Sequence, residues 1–272
     1  MSGSQNDNPS ARVAVVTGAA SGIGRATVER LVQLGTCVVA VDRAADEFHW
    51  IAGSGMAESV ETVIGDVTNA DCNSAAVDAA VRRFGRLDAA VLNAGVPMSG
   101  DLLGLPMEEF DRAMSVNVRA VALGIRAVVP QMRRHGAGRI VVTASTSGLG
   151  GDPNMWAYNT SKGAVINLVR AAAVDLGADD ITVNAVCPGP TETAMTSRLQ
   201  ALPAIHEQLR TTIPLQRWGQ ASEIAAVIAF LASAEASFVN GAIVPVDGGI
   251  TANTGQFPPA NGARGRLHRS EP

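Results

Sequence analysis

The sequence predicts an α/β protein: one doubly wound, mostly parallel sheet with helices on both faces. Three observations carry that expectation. Short apolar runs alternate with amphipathic stretches along almost the whole chain, which is the pattern of βα units. The short runs are nearly continuous in Val, Ile and Ala, as strands buried on both faces require. A glycine-rich turn separates the first strand from the first helix. With 272 residues, 47% hydrophobic and 17% charged, the chain is long enough for one α/β domain of about 250 residues with tails.

The elements follow in order. RVAVVT (12–17) reads as a strand, and IGRATVERLVQLG after it as an amphipathic helix. TCVVAVD (36–42) and ESVETVIGD (58–66) are strands, and NADCNSAAVDAAVRRFG a helix. LDAAVLN (87–93) is followed by one long helix over 107–134, and RIVVTAS (139–145) by a helix over 156–177. ITVNAVC (181–187), a helix over 222–233 and AIVPVD (242–247) complete the alternation. No linker or repeat interrupts it, so residues 11–251 are expected to form a single domain. Residues 1–10 read as a disordered tail, and 252–272, rich in Gly, Pro and Arg, as an extended one.

Composition narrows the function classes. A net charge of −4 with dispersed basic residues argues against a nucleic-acid partner. Cys37, Cys72 and Cys187 are odd in number and form no CxxC pair, which reads as structural, reduced thiols. The first residues lack the basic and apolar regions of a signal peptide, and no uninterrupted apolar run approaches a membrane span. A cytoplasmic protein without membrane contact is therefore expected. His49, His135, His206 and His268 show no ligand spacing, so no metal is expected. No GxxxxGK[ST] is present. Arg133, Arg134 and His135 suit a helix C-terminus better than an anion site.

Two features point to chemistry. In Thr17-Gly18-Ala19-Ala20-Ser21-Gly22-Ile23-Gly24, glycines would let the backbone approach a pyrophosphate at a helix N-terminus. Asp42, at the end of the second strand, could accept hydrogen bonds from an adenosine ribose, although Asp also opens turns. The second feature is compositional: 20 of 21 basic residues are Arg, and the single Lys, Lys162, stands four residues after the single Tyr, Tyr158. That spacing puts both on one helix face and arises by chance about once in 270 arrangements. A nearby ammonium favours a phenolate, making Tyr158 a usable acid or base. The alternative reading is a core tyrosine beside a surface lysine.

Together these residues resemble the short-chain dehydrogenase/reductase family, over about residues 12–250. TGAASGIG matches its TGxxxGIG cofactor loop, and Asp66-Val67 the pair beside the adenine. Asn93-Ala94-Gly95 matches its NAG turn. Asn117 matches the helix asparagine of the catalytic tetrad, Ser145 the serine thirteen residues before the tyrosine, and Tyr158 with Lys162 the YxxxK pair. Pro188-Gly189, Thr191 and Thr193 match the loop that holds the nicotinamide carboxamide. Leu92 and Ala144 depart from the Asn and Ser common there, at positions without chemistry.

The resemblance implies a Rossmann fold. It also implies an NAD(P)-dependent oxidoreductase that interconverts a secondary alcohol and a ketone, with Asn117, Ser145, Tyr158 and Lys162 catalytic. Gly18, Ser21, Gly22, Ile23, Gly24, Asp42, Arg43, Asp66, Val67, Asn93, Ala94, Gly95, Tyr158, Lys162, Pro188, Gly189, Thr191 and Thr193 would contact the cofactor. Asp42 repels a ribose phosphate and favours NAD, while Arg43 beside it keeps NADP open. Asn117 would hold backbone and water in a proton path behind Lys162. The substrate is expected to be a small neutral alcohol or ketone, because Val96, Pro97, Met98, Leu149, Met155 and Trp156 bring no cation. Leu149, Met155 and Trp156 suit either a pocket wall or a core cap. Residues 194–215 would form a mobile lid. The alternatives are a 3-oxoacyl-[acyl-carrier-protein] reductase, with Arg133-Arg134 receiving the acidic carrier, and a non-catalytic nucleotide-binding sensor. Family members of this length imply a homotetramer through the helices around 107–134 and 156–177 and the last strand.

Overall fold

The computed structural model describes residues 11–52, 54–254 and 259. The expected tail 1–10 and nearly all of 252–272, including His268, lie outside them. In chain order the elements are β1 (Val13–Thr17), α1 (Gly22–Gln33), β2 (Cys37–Asp42), β3 (Val60–Ile64), α2 (Ala70–Phe84), β4 (Ala89–Leu92), α3 (Met107–Met114) and α4 (Ala120–His135). They continue with β5 (Gly138–Thr143), α5 (Trp156–Leu176), β6 (Ile181–Pro188), β7 (Thr191–Glu192), α6 (Ser197–Gln200), α7 (Pro203–Thr212), β8 (Gly219–Gln220), α8 (Ala221–Leu231) and β9 (Ile243–Val246).

Seven strands form one sheet in the order β3-β2-β1-β4-β5-β6-β9, and every pairing is parallel. The order reverses direction between β1 and β4, which opens a crevice at their carboxyl ends, where doubly wound sheets bind ligands. The apolar runs divide by alternation. Val13, Val15, Val39 and Val41 join Val121, Ile125, Val165 and Val169 on the face covered by α2, α4 and α5. Ala14, Val16, Val38 and Ala40 meet Val28, Leu31, Ile224 and Ile228 of α1 and α8 on the other. Both faces are covered, so alternation cannot show as apolar and polar, and the runs read as continuous.

One expectation changes. The long helix over 107–134 is not uniform: a π-turn, Ser115–Arg119, separates α3 from α4. An extra residue in one turn is a local strain that commonly marks a functional position, and Asn117 lies in it. The run 107–135 is long and apolar enough to cross a membrane by length and composition. It instead packs Val121, Ile125, Val128 and Met132 into the sheet core. The segment 194–215, expected as a lid, carries two helices whose bounds the sequence pattern does not show, α6 and α7. None of the α7 residues is buried, and one fastening is Trp218, stacked on His206 at 5.0 Å. Leu92 and Ala144 are both buried in the core, which explains why apolar residues stand there.

Candidate active site

The catalytic and cofactor residues expected from the sequence lie at or just beyond the carboxyl ends of the strands, or on the helices beside them. Gly18, Ser21, Gly22, Ile23 and Gly24 form the turn from β1 into α1. Gly18 has φ +64, and a Cβ on it would meet Ala94 Cα at 2.9 Å. A Cβ on Gly24 would stand 1.9 Å from the Gly18 carbonyl. The turn is therefore a bare-backbone cradle at a helix N-terminus, and it fits a pyrophosphate. A Cβ on Gly22 would touch Thr193 at 3.4 Å, so the loop after β6, with Pro188, Gly189 and Thr191, closes over the same spot.

Asp42 ends β2 and is tied to this turn: its Oδ2 accepts from Ala20 N at 3.1 Å, and its Oδ1 from Arg43 N at 2.7 Å. Asp66 follows β3 and accepts from the Thr68 amide and hydroxyl, both at 2.8 Å. Those bonds hold its carboxyl below the usual range, and the Arg43 guanidinium adds a smaller effect in the same direction. Val67 beside it is buried.

Asn93 is the junction of three strands. Its Nδ2 donates to the Thr17 carbonyl at 3.1 Å, its backbone N to Thr17 Oγ1 at 3.0 Å, and its Oδ1 accepts from Thr143 Oγ1 at 3.0 Å. Ala94 N donates to the same Thr17 hydroxyl at 3.1 Å. Asn117 then fixes the next stretch. Its Oδ1 accepts from Val96 N at 2.8 Å and its Nδ2 donates to the Val96 carbonyl at 3.1 Å. The same Nδ2 reaches Ser161 Oγ at 3.0 Å, and Ser161 donates to the Tyr158 carbonyl at 2.8 Å. The loop after β4 is thereby fastened to α5. Gly95 lies between, where a side chain would come within 3.2 Å of Asn117 Oδ1 and 3.5 Å of Lys162 Nζ.

Lys162 is buried, and its Nζ donates to the Thr143 carbonyl at 2.9 Å. Burial lowers its ammonium to about 8. The Nζ stands 5.7 Å from the centre of the Tyr158 ring. Burial raises the Tyr158 phenol, the Ser145 hydroxyl opposes this, and Asp152 adds to the rise. A phenol lowered by Lys162 was expected. In the protein alone, desolvation dominates, and the ammonium is directed to a carbonyl rather than to the phenol oxygen. Ser145 is buried at the start of the turn after β5, where its Oγ accepts from Ser147 N at 3.1 Å, leaving its own proton free to donate.

Four participants carry no sequence signature of their own. Thr143 and Ser161 act through bonds made across the sheet and helix. Cys187 lies beneath the site, buried, with its thiol pushed up to about 11 by burial, so it is inert packing. Asp152 joins Ser147 through a short bond between side chains. Of the residues expected at the pocket, Leu149 lines a cavity next to Ser145. Met98 is instead buried with Ala113 and Ala157, and Trp156 packs against that group, stacked on Phe110 at 5.2 Å. Arg133 and Arg134 end α4 as its sequence suggested, and Arg133 is paired with Asp179 at 2.8 Å. The three cysteines are unpaired.

Comparison with known proteins agrees with this arrangement. Residues 18–251 match the family model described as Enoyl-(Acyl carrier protein) reductase. The chain is 42% identical over 250 residues to 2-(R)-hydroxypropyl-CoM dehydrogenase of Xanthobacter autotrophicus, covering 89% of this chain and 99% of that protein. It is 38% identical over 245 residues to meso-2,3-butanediol dehydrogenase of Serratia marcescens, covering 90% and 96%. The crystal structure of levodione reductase superimposes with a TM-score of 0.84 at 37% identity, covering 89% of this chain and 98% of the other. Relatives are thus matched over nearly their full length, and the chain belongs to the short-chain dehydrogenase/reductase family of NAD(P)-dependent oxidoreductases.

Proposed function

We propose that the protein interconverts a small, neutral secondary alcohol and its ketone, with Tyr158 as the acid and base. The observation that carries this reading is the convergence of three groups. The Tyr158 phenol faces the Ser145 hydroxyl, and the buried Lys162 ammonium stands 5.7 Å from its ring.

The cofactor fits the bare cradle of Gly18, Ser21, Gly22, Ile23 and Gly24. Asp42 would meet the ribose, Asp66 and Val67 the adenine, Asn93, Ala94 and Gly95 the inner ribose, and Pro188, Gly189, Thr191 and Thr193 the nicotinamide. A nicotinamide held there would supply or take up the hydride and, when oxidised, would add positive charge near the phenol. In the reducing direction Tyr158, held neutral by burial, gives its proton to the forming alkoxide. Ser145, whose Oγ is already oriented by Ser147 N, donates to the same oxygen as charge develops. In the oxidising direction Tyr158, as phenolate, takes the alcohol proton, and the charge of Lys162, 5.7 Å from the ring, favours that phenolate. Asn117 holds Val96 and Ser161, and with them the relative placement of the loop and α5.

Asp42 supports NAD. A carboxylate about 4 Å from a phosphate repels it by about 1–4 kcal/mol per unit charge. Ser21 supplies no cation, and Arg43 shares its charge with Asp66. A homotetramer in the cytoplasm completes the reading. Its support is the apolar surface at Val174 on α5 and Phe238 before β9, which are 82% and 100% exposed. The alternative reading is a carrier-protein-dependent 3-oxoacyl reductase, in which Arg133, here paired with Asp179, and Arg134 would receive the acidic carrier.

The test is turnover of a panel of neutral secondary alcohols and ketones with NAD(H) and NADP(H), followed by nicotinamide absorbance. Saturable cofactor binding without turnover of any compound would favour the sensor reading. Efficient reduction of a carrier-bound acetoacetyl thioester with poor rates on neutral ketones would favour the carrier reading. Sedimentation as a monomer at micromolar concentration would refute the tetramer.

A further inference from the structure

A cavity of about 510 Å³ opens beside Ser145, walled by Thr146, Leu149, Asp152, Pro245, Ile250 and Thr251 together with two glycines. Its polar inventory is one-sided. The Thr146 hydroxyl gives its proton to the Pro188 carbonyl at 3.3 Å, and the Thr251 hydroxyl gives its own to Asp247 Oδ2 at 2.7 Å. Both hydroxyls therefore present lone pairs to the cavity. The wall has no Lys or Arg. Asp152 is its one charged group, and an ionised carboxylate only accepts.

Asp152 is also fixed in place. Asn159 Nδ2, one residue past Tyr158, donates to the Asp152 carbonyl at 3.0 Å. The Ser147 hydroxyl donates to Asp152 Oδ2, and no described side chain donates to the other carboxylate oxygen. The carboxylate is close enough to the site to raise the Tyr158 phenol. A wall whose polar side chains are acceptors, with a held carboxylate as its one charge, favours a ligand that brings donors and no negative charge.

We infer that Asp152 is a specificity-determining residue that binds a second hydroxyl of the substrate, so that the preferred substrate class is uncharged diols and hydroxyketones rather than simple alcohols or hydroxy acids. The inference rests on the oxidoreductase reading of the same site. It goes beyond that reading in naming a substrate group and the atom that receives it.

The test compares cyclohexanol with the cyclohexane-1,2-, 1,3- and 1,4-diols, measuring kcat and KM for the wild type, Asp152→Asn and Ser147→Ala. Asp152→Asn keeps an oxygen for the Ser147 hydroxyl and turns a neutral amide donor toward the cavity, so the substrate hydroxyl loses its charged acceptor and can only accept a weaker, neutral bond. The kcat/KM ratio of the best diol to cyclohexanol should fall about tenfold or more, chiefly through KM. Ser147→Ala keeps the carboxylate but removes one of its holds, so the ratio should fall clearly less than in Asp152→Asn. An unchanged ratio in Asp152→Asn would overturn the inference. So would an equal fall in Ser147→Ala, because Asp152 would then act only by positioning the turn that holds Ser145. If the wild type turns over none of the four compounds while binding cofactor, the oxidoreductase reading itself fails, and this inference with it.

Discussion

Lys162→Met should make the protein more stable while removing its activity. The wild-type ammonium is 4% exposed and lies at about 8 against an ordinary 10.5, with burial as the largest cause. That gap of about two to three pH units corresponds to about 3 kcal/mol. The variant also loses the bond to the Thr143 carbonyl, which costs about 1 kcal/mol, whereas the methionine retains most of the buried stem. A net gain of about 2 kcal/mol remains near pH 7. At about 2–4 °C per kcal/mol in a domain of this size, Tm should rise by about 4–8 °C. The pH dependence is specific. A lysine depressed in the folded state binds fewer protons there than in the unfolded chain between about pH 8 and 10.5. Wild-type stability relative to the variant therefore rises with pH through that window. The difference should be full below about pH 8 and should close toward pH 10.5. Thermal and urea unfolding of both proteins without cofactor, from pH 7 to 10, measures it. A variant no more stable than wild type at pH 7, or a gap that does not close with pH, would refute the reasoning.

Tyr158→Phe keeps the ring and removes the proton, so kcat should fall by about 10²- to 10⁴-fold while cofactor affinity, by titration of protein fluorescence, stays within a few fold. Near-normal turnover would exclude Tyr158 as the acid and base. Asn117→Ala removes three bonds, to both Val96 backbone groups and to Ser161. It should cost about 2–3 kcal/mol in urea unfolding as well as turnover, and a loss of activity at full stability would contradict the fastening role. Gly24→Ala forces a Cβ to 1.9 Å from the Gly18 carbonyl, so cofactor binding by calorimetry should be lost; wild-type affinity would show that the cradle is not the site. Asp42→Ser should shift the NADP/NAD ratio of kcat/KM upward by about tenfold or more, and an unchanged ratio would mean that Asp42 does not meet the ribose.

Much of the site was legible because its chemistry is local. The β1–α1 turn, the Tyr158–Lys162 pair on one helix face and the Asn93-Ala94-Gly95 turn are contiguous segments whose spacing alone carries the signal. The strands were legible for a similar reason, since β1, β2 and β6 are buried runs bounded by turns. The π-turn around Asn117 was not, because one extra residue in a turn leaves the helical apolar pattern nearly unchanged. The helices at Ser197–Gln200 and Pro203–Thr212 carry no sequence signal, because their apolar residues, among them Leu199 and Ile205, remain substantially exposed, so no buried stripe marks them. Asp152 reads in the sequence as one more loop carboxylate. Nothing local distinguishes it from Asp101, whose carboxylate accepts from the Leu103 and Gly104 amides.

The sequence by itself determined the alternation of strands and helices, the cradle, and the pairing of the only tyrosine with the only lysine, because periodicity and short spacings act within one element. The tertiary structure decided how those pieces act on one another. It brought Thr17, Asn93 and Thr143 from three strands into one chain of bonds that ends at Lys162. It also left the Tyr158 phenol raised rather than lowered, and it placed Asp152 in the wall of the cavity beside Ser145. Burial and electrostatics depend on what surrounds a group from every side, and those neighbours are distant in sequence until the sheet assembles them.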